Sequence, residues 1–138
     1  MKIIIFFICF FSVGQLFANC EQYFEKANIV KNVFEKSNNK NKKILSELAE
    51  MKVNSNPNTC KKANEARMLV FLTASNAKTV SITLGLAVKS CFGENKETAM
   101  IGKNEFDLNY NILKNDLIAL EEEFKDCNLG KNLSDSLK

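Results

Sequence analysis

Four cysteines are the side chains whose chemistry the sequence makes most explicit. Cys20, Cys60, Cys91 and Cys127 are separated by 39, 30 and 35 residues, and the chain contains no histidine. Structural zinc sites need Cys or His ligands grouped at short spacing, so this pattern does not indicate a metal site. An even number of widely spaced cysteines in a small exported domain instead predicts two disulfide bonds.

Acid–base catalysis has few candidate residues in this chain. Because there is no histidine, Ser–His and Cys–His nucleophile pairs are excluded. Glu121, Glu122, Glu123 and Asp126 crowd one helical segment, and such a cluster is usually a solvated face rather than a glycosidase pair. No Gly-rich phosphate loop and no calcium loop is present. The sequence therefore predicts a protein that is not an enzyme and needs no cofactor.

One modification motif lies near the C-terminus. Asn132, Leu133 and Ser134 form an N-glycosylation sequon. In a eukaryotic exported protein we expect a glycan on Asn132, and an unused sequon is the alternative.

The N-terminal segment has the layout of a secretory signal peptide. A single lysine precedes an apolar run from Ile3 to Val13, and the small residue Ala18 follows. We predict a signal peptide over residues 1–18, which contains Cys9, then a four-cysteine helical domain over 19–127 and a flexible tail over 128–138. The mature protein is expected to be secreted and extracellular, without a membrane span.

The charge balance argues against nucleic-acid binding. The formal net charge is +3, and Arg67 is the only arginine among 19 basic residues. Arginine is the side chain best suited to bidentate recognition of phosphates and bases. We expect a protein or a small apolar ligand as the partner, and neither nucleic acid nor a membrane.

The longest apolar stretch, Thr59 to Phe92, predicts the central helix. Its residues recur at steps of three and four along one side, which indicates a buried seam: Ala63, Ala66, Val70, Thr73, Ala77, Val80, Leu84, Ala87 and Cys91. A second apolar set lies on roughly the opposite side: Met68, Phe71, Leu72, Ile82 and Leu86. A transmembrane helix is the alternative, but Asn76 and Lys78 near the middle disfavour it.

The remaining elements are predicted to be helices as well. Phe106, Tyr110 and the apolar residues up to Cys127 repeat at helical steps, so a last helix is expected from Asn104, after a connector over 94–102. Residues 20–53 form either one helix or two, divided at the polar run 37–43. Together these segments predict an all-α fold, an antiparallel bundle of three to four helices with a long central helix and two disulfides.

Helix geometry selects one pairing of the cysteines. Cys60 and Cys91, at the two ends of one helix, would stand about 46 Å apart, whereas a disulfide needs Cα atoms within about 7 Å. An antiparallel last helix brings Cys127 to Cys60, which leaves Cys20 for Cys91. We predict Cys20–Cys91 and Cys60–Cys127; if the first arm folds back near Asn38 to Asn41, Cys20 lies near Cys60 and the pairing could differ.

Two classes of function fit this architecture. The first is an extracellular protein-interaction or effector module that uses the second apolar side of the central helix. The second is a carrier of a small apolar ligand or lipid in the bundle interior. The residues predicted to line that interior cavity are Phe24, Phe34, Ala77, Phe106, Tyr110 and Phe124.

The layout of a leader, four cysteines and helices resembles the insect secreted domain named after the tsetse EP protein. The resemblance covers residues 19 to about 130 in outline, without a diagnostic motif. It implies an extracellular protein and assigns no functional residue.

Overall fold

A computed structural model describes the backbone of residues 2–53 and 56–137 and the side chains of residues 19–52 and 56–137. It contains three helices: α1 (Lys2–Val53), α2 (Thr59–Ser90) and α3 (Gly93–Glu123). Two short 3₁₀ turns follow, at Lys125–Cys127 and Ser134–Ser136, and the described residues contain no strand. These elements confirm the predicted all-α bundle. The side chains of the predicted signal peptide lie outside the described residues, so that segment stays a prediction.

The core lies along α2, which packs between the other two helices. All nine residues of its predicted seam are buried, and Ala63, Ala66, Ala77 and Ala87 are fully inaccessible. Small side chains let helix axes approach closely, so α1 and α3 can both pack along the same central rod. α1 and α3 run antiparallel to α2 and meet each other through long side chains, as when Phe34 packs edge-to-face on Phe106 with ring centroids 5.2 Å apart.

The first arm is one helix and not two. The polar run 37–43 left open whether this arm is one helix or two, and the structure continues α1 through it. Apolar side chains are packed on both sides of the run, with Phe34 and Leu48 in the core, and Asn41 within the run is itself only 2% exposed. Packing of the flanking turns therefore carries the helix through a stretch that has no apolar period of its own.

The turn between α2 and α3 is shorter than the sequence predicts. α2 ends at Ser90 rather than Phe92, and Cys91 and Phe92 are extended. Gly93 has φ of +55°, the left-handed conformation expected for it, but α3 begins at that same residue. The predicted connector over 94–102 is consequently helical.

Two contacts hold the first turns of α3 against the bundle. Ala99 is fully buried in a small cluster with Cys20 and Cys91. A Cβ on Gly102 would lie 3.0 Å from Leu84 Cδ1. Gly102 thus permits close helix packing inside α3, whereas the sequence pattern placed it at the end of a connector.

Both disulfides have the predicted connectivity. Cys20 bonds to Cys91 with Cα atoms 5.1 Å apart, and Cys60 bonds to Cys127 with Cα atoms 5.2 Å apart. The continuous α1 explains the first bond, because only an unbroken arm carries Cys20 to the far end of α2.

The C-terminal tail, predicted to be flexible, is packed in this structure. Leu137 lies in the core cluster and Ser134 is buried. Glu121 of α3 accepts hydrogen bonds from the backbone N–H groups of Leu133 and Ser134, at 2.6 and 3.3 Å, and from the Ser134 hydroxyl at 2.6 Å. The buried Glu121 carboxylate therefore attaches the tail to α3. The sequence alone assigned Glu121 to a solvated acidic face.

Arg67 completes this attachment from the side of α2. Its guanidinium donates to the carbonyl oxygens of Leu129 and Lys131, and one of its nitrogens lies 3.7 Å from Glu121 Oε1. Both charged side chains are at most 7% exposed. The single arginine of the chain therefore has an architectural role, which its buried side chain and its carbonyl partners explain.

Candidate functional site

The solvent side of α2 carries an uncovered apolar stripe, here called the outer face of α2: Met68, Leu72, Ser75, Thr79, Ile82 and Leu86. Its four large side chains are 44%, 51%, 56% and 41% exposed, in the order Met68, Leu72, Ile82, Leu86. Phe71, which the sequence assigned to the same side, is half-buried and packs on the core. Four of the five predicted residues therefore lie on this face.

The outer face lies opposite the buried seam. Its residues follow one another at steps of four and three, and at 100° per residue their mean direction is about 160° from that of the seam. α1 and α3 pack on the alanine side of α2, so they leave this stripe uncovered. The face is consequently a straight ridge about 27 Å long between Met68 and Leu86.

Polar contacts fix the edge of α2 that faces α3. Ser81 donates a hydrogen bond to Asp107 Oδ1 at 2.5 Å, and Lys103 contacts the other oxygen of the same carboxylate at 2.5 Å. The Lys103 hydrogen bond, followed by that from Ser81, lowers the pKa of Asp107. On the same edge the Lys78 ammonium lies 4.7 Å from the Tyr110 ring centroid. These contacts hold α2 in a fixed rotation.

Further exposed apolar side chains lie on α3 and α1. Ile101, Leu108, Ile112 and Ile118 of α3 are between 47% and 68% exposed, and Ile29 of α1 is 59% exposed. The helical repeat of Phe106, Tyr110 and the residues up to Cys127 predicted one apolar side for the last helix. The signal for this second face was present, since Leu108 and Ile112 stand four residues apart on the side opposite the core residues.

A groove of about 470 Å³ opens at the other side of the bundle, with residues of all three helices around it. Its apolar wall is formed by Phe24, Ala27, Val80, Leu84 and Phe106. Four charged side chains also line it: Glu21, Glu25, Lys31 and Glu105. An apolar wall beside three carboxylates and one ammonium suits an amphipathic molecule better than a purely apolar one.

The six residues predicted to line one interior cavity do not share a site. Phe24 and Phe106 line this groove, whereas Phe124 lines a separate groove of about 520 Å³ beside Leu48 and Leu120. Phe34, Ala77 and Tyr110 belong to the packed core. Small residues such as Ala77 let the helices pack closely. Side chains fill the bundle interior around Phe34, Ala77 and Tyr110, where a ligand was predicted.

Three carboxylates of the predicted acidic cluster each contact a different basic side chain. Glu121 is buried beside Arg67, Glu122 pairs with Lys125 at 3.2 Å, and Glu123 pairs with Lys52. Within the described ranges 19–52 and 56–137, no group of three or more Cys, Asp or Glu side chains could hold a metal ion.

The two polar residues of the sequon differ in exposure. Asn132 is exposed, while the Ser134 hydroxyl is hydrogen-bonded to Glu121. The Asn132 side chain is thus accessible for a glycan in the folded protein, and glycosylation stays a prediction.

By length and composition, α2 is the one helix in the described part of the chain that could cross a membrane. Core helices of water-exposed proteins pass the same test, and its buried alanine seam and its disulfide at Cys60 are typical of such a helix.

Comparison with known proteins returned nothing: no family model, no curated protein and no solved structure matches this chain. The likeness to the tsetse EP-type domain therefore stays a prediction. The disulfides are compatible with an extracellular protein.

Proposed function

We propose that this protein is a secreted, non-enzymatic interaction module that binds protein through the outer face of α2. The observation that carries the proposal is the exposure of four large apolar side chains on one straight, rigidly held ridge. Contiguous apolar surface of this kind marks protein–protein contacts, because leaving it in water costs free energy. A helix that presents side chains at steps of three and four is a recurring form of such a contact.

Site-specific photo-crosslinking tests this function. A benzoyl-phenylalanine at Thr79 lies in the centre of the outer face, and the same residue at Asn95 of α3 is the exposed control. After incubation with fluid from the secreting tissue, we expect a discrete protein adduct from position 79, competed by unlabelled protein, and none from position 95. Equal labelling from both positions, or none from either, contradicts the proposal.

A second function, a carrier of a small amphipathic ligand, is supported by the groove between the helices. Its volume of about 470 Å³ is within the range of small-molecule sites, and its three carboxylates favour a cationic end group. The ligand class proposed for this function is therefore an apolar body with a positive head.

The groove is tested by a cationic fluorescent amphiphile and a blocking variant. Asn28 is an exposed groove residue, so Asn28→Trp should cover the opening and weaken probe binding. Asn32→Trp, one turn further along α1 and also exposed, is the matched control and should bind as wild type. Saturable binding that is unchanged in Asn28→Trp would place the ligand elsewhere, and absence of binding would contradict the carrier function.

A further inference from the structure

We infer that the protein that covers the outer face of α2 is a second copy of the same chain, packed antiparallel about a two-fold axis. This inference rests on the proposed function and names its partner. It follows from the order of side chains along the ridge. When two copies pack antiparallel, apolar side chains of one copy face apolar side chains of the other, and opposite charges face each other at the ends.

The steps along the ridge form a heptad seam of about seven helical turns. Glu65 precedes Met68 by three residues and Lys89 follows Leu86 by three, so the complete seam has alternating steps of three and four. Reversing one copy about a point between Ser75 and Thr79 places Ser75 opposite Thr79. The same operation places each large apolar residue opposite another, Met68 opposite Leu86 and Leu72 opposite Ile82.

The charges at the ends of the seam complement each other under this operation. Glu65 lies opposite Lys89 of the second copy, and because the operation is two-fold this ion pair forms at both ends. Both side chains are exposed in the monomer, and Glu65 has only a 3.9 Å contact to Lys62. A parallel pairing would instead set Glu65 against Glu65 and Lys89 against Lys89. The charge order thus selects the antiparallel arrangement.

The centre of the seam accommodates close approach. Ser75 and Thr79 are the smallest side chains of the ridge, and their hydroxyls donate to the backbone carbonyls of Phe71 and Ser75, at 3.0 and 2.9 Å. Their hydrogen-bonding donors are therefore satisfied before association. Lys78 flanks this centre and would approach its own copy, but its ammonium is directed over the Tyr110 ring of α3.

The exposed face of α3 lacks this complementarity. Glu105 and Glu122 lie in the row that contains Leu108 and Ile112, and no lysine occupies an equivalent position. Self-pairing of α3 would bring acidic residues towards an apolar surface without a cationic partner. For this reason the inferred interface is α2 against α2.

Light scattering coupled to size exclusion, with the purified disulfide-bonded protein, tests the oligomeric state. We expect the mass of a dimer for wild type, and about a 100-fold weaker dimer for Leu72→Glu, because the two-fold axis buries two carboxylates. Leu108→Glu on α3 is the matched control, since Leu108 is 62% exposed and Leu72 is 51% exposed. It should remain dimeric. Circular dichroism establishes that both variants are folded.

Charge reversal tests the orientation. Glu65→Lys and Lys89→Glu should each weaken the homodimer about tenfold. Mixed together, these two variants should form a heterodimer, because both ends then carry opposite charges. A parallel dimer would give a different pattern. Like charges already face each other in its wild type, so neither single variant would weaken it, and the mixture would bind more tightly than wild type.

A zero-length carbodiimide crosslink supplies direct proof of register. Within one chain Glu65 and Lys89 lie about 36 Å apart along α2, so an amide bond between them must join two copies. Its detection in the dimer band confirms the inference. A monomeric wild type, or a dimer crosslinked only through α3, overturns it.

The outcomes also separate this inference from the proposed function. If wild type is monomeric but Leu72→Glu abolishes the adduct formed from position 79, a different protein occupies the face and only the second-copy inference fails. If the protein instead sediments with phosphatidylcholine vesicles through Leu72, a lipid surface occupies the face and both fail.

Discussion

At the scale of single residues, several charged side chains in this protein fix how the helices pack. Asp107 joins α3 to Ser81 of α2, and Lys103 neutralises it. Its lowered pKa means that the folded state binds the ionised carboxylate better than the unfolded state does. The contribution to stability is therefore complete above the unfolded pKa of about 3.9 and is lost as pH falls through the lower folded pKa.

Asp107→Asn should consequently lower the free energy of unfolding at pH 7 by up to about 1 kcal/mol, since the carboxylate is partly exposed and screened. The difference from wild type should shrink as pH falls below the unfolded pKa of about 3.9 and through the lower folded pKa, because the wild-type carboxylate then becomes protonated. Urea denaturation at pH 7 and at low pH measures this difference in the free energy of unfolding. Asp116→Asn, at an exposed aspartate, is the control and should leave the free energy of unfolding at pH 7 unchanged.

Arg67 is the residue on which the C-terminal attachment depends. Replacing it with methionine keeps the bulk but leaves Glu121 buried beside no cation, which should cost about 3 kcal/mol. The tail should also detach, so that trypsin cleaves after Lys131 faster than in wild type. Lys61→Met, at an exposed lysine of the same helix, is the control. Unchanged cleavage at Lys131 would show that Glu121 alone retains the tail.

At the scale of elements, two helical glycines lie in different surroundings. A Cβ at Gly85 would meet only Lys103 methylenes, at 3.7 Å, whereas one at Gly102 would approach Leu84 Cδ1 to 3.0 Å. Gly85→Ala should therefore raise the free energy of unfolding by about 0.5–1 kcal/mol through backbone entropy. Gly102→Ala should gain less or lose stability. Thermal denaturation of the pair measures this, and equal gains would mean that Leu84 can move aside freely.

The sequence was sufficient for elements with a strong apolar period and insufficient for those without one. The seam of α2 and that of α3 were recognised residue by residue, and with them the antiparallel order and the disulfide pairing. The run 37–43 left one helix or two open, and the segment 94–102 was assigned to a connector, because their helical state depends on packing of neighbours and on contacts such as Gly102 with Leu84.

The candidate site was only partly predictable for a related reason. The outer face of α2 was recognised as apolar, but its exposure depends on where α1 packs, which periodicity does not specify. The residues predicted to line one interior cavity are distributed between two grooves and the packed core, because small residues such as Ala77 let the helices pack closely.

At the scale of the whole molecule, each disulfide fastens one end of the bundle. The cysteines of the two bonds are 71 and 67 residues apart in sequence, so each bond should contribute about 3–4 kcal/mol, mainly by restricting the unfolded chain. The double variants Cys20→Ser/Cys91→Ser and Cys60→Ser/Cys127→Ser should lose similar stability in urea.

Hydrogen exchange should distinguish the two variants by location. Loss of Cys20–Cys91 should increase exchange around Ala27 and the groove, whereas loss of Cys60–Cys127 should increase it around Leu48 and the tail. A uniform increase in both variants would mean that the bundle opens only as a single cooperative unit.

The interlaced order of the two bonds has a consequence for biosynthesis. Neither bond joins neighbouring cysteines in the sequence. In the secreted protein proposed above, the first two thiols to emerge after the predicted signal peptide, Cys20 and Cys60, are therefore not partners in the finished protein. Oxidation during translocation would trap them together, and release requires thiol exchange once the later cysteines arrive. We therefore expect the yield of correctly matured protein to depend on a disulfide isomerase and on slow oxidation.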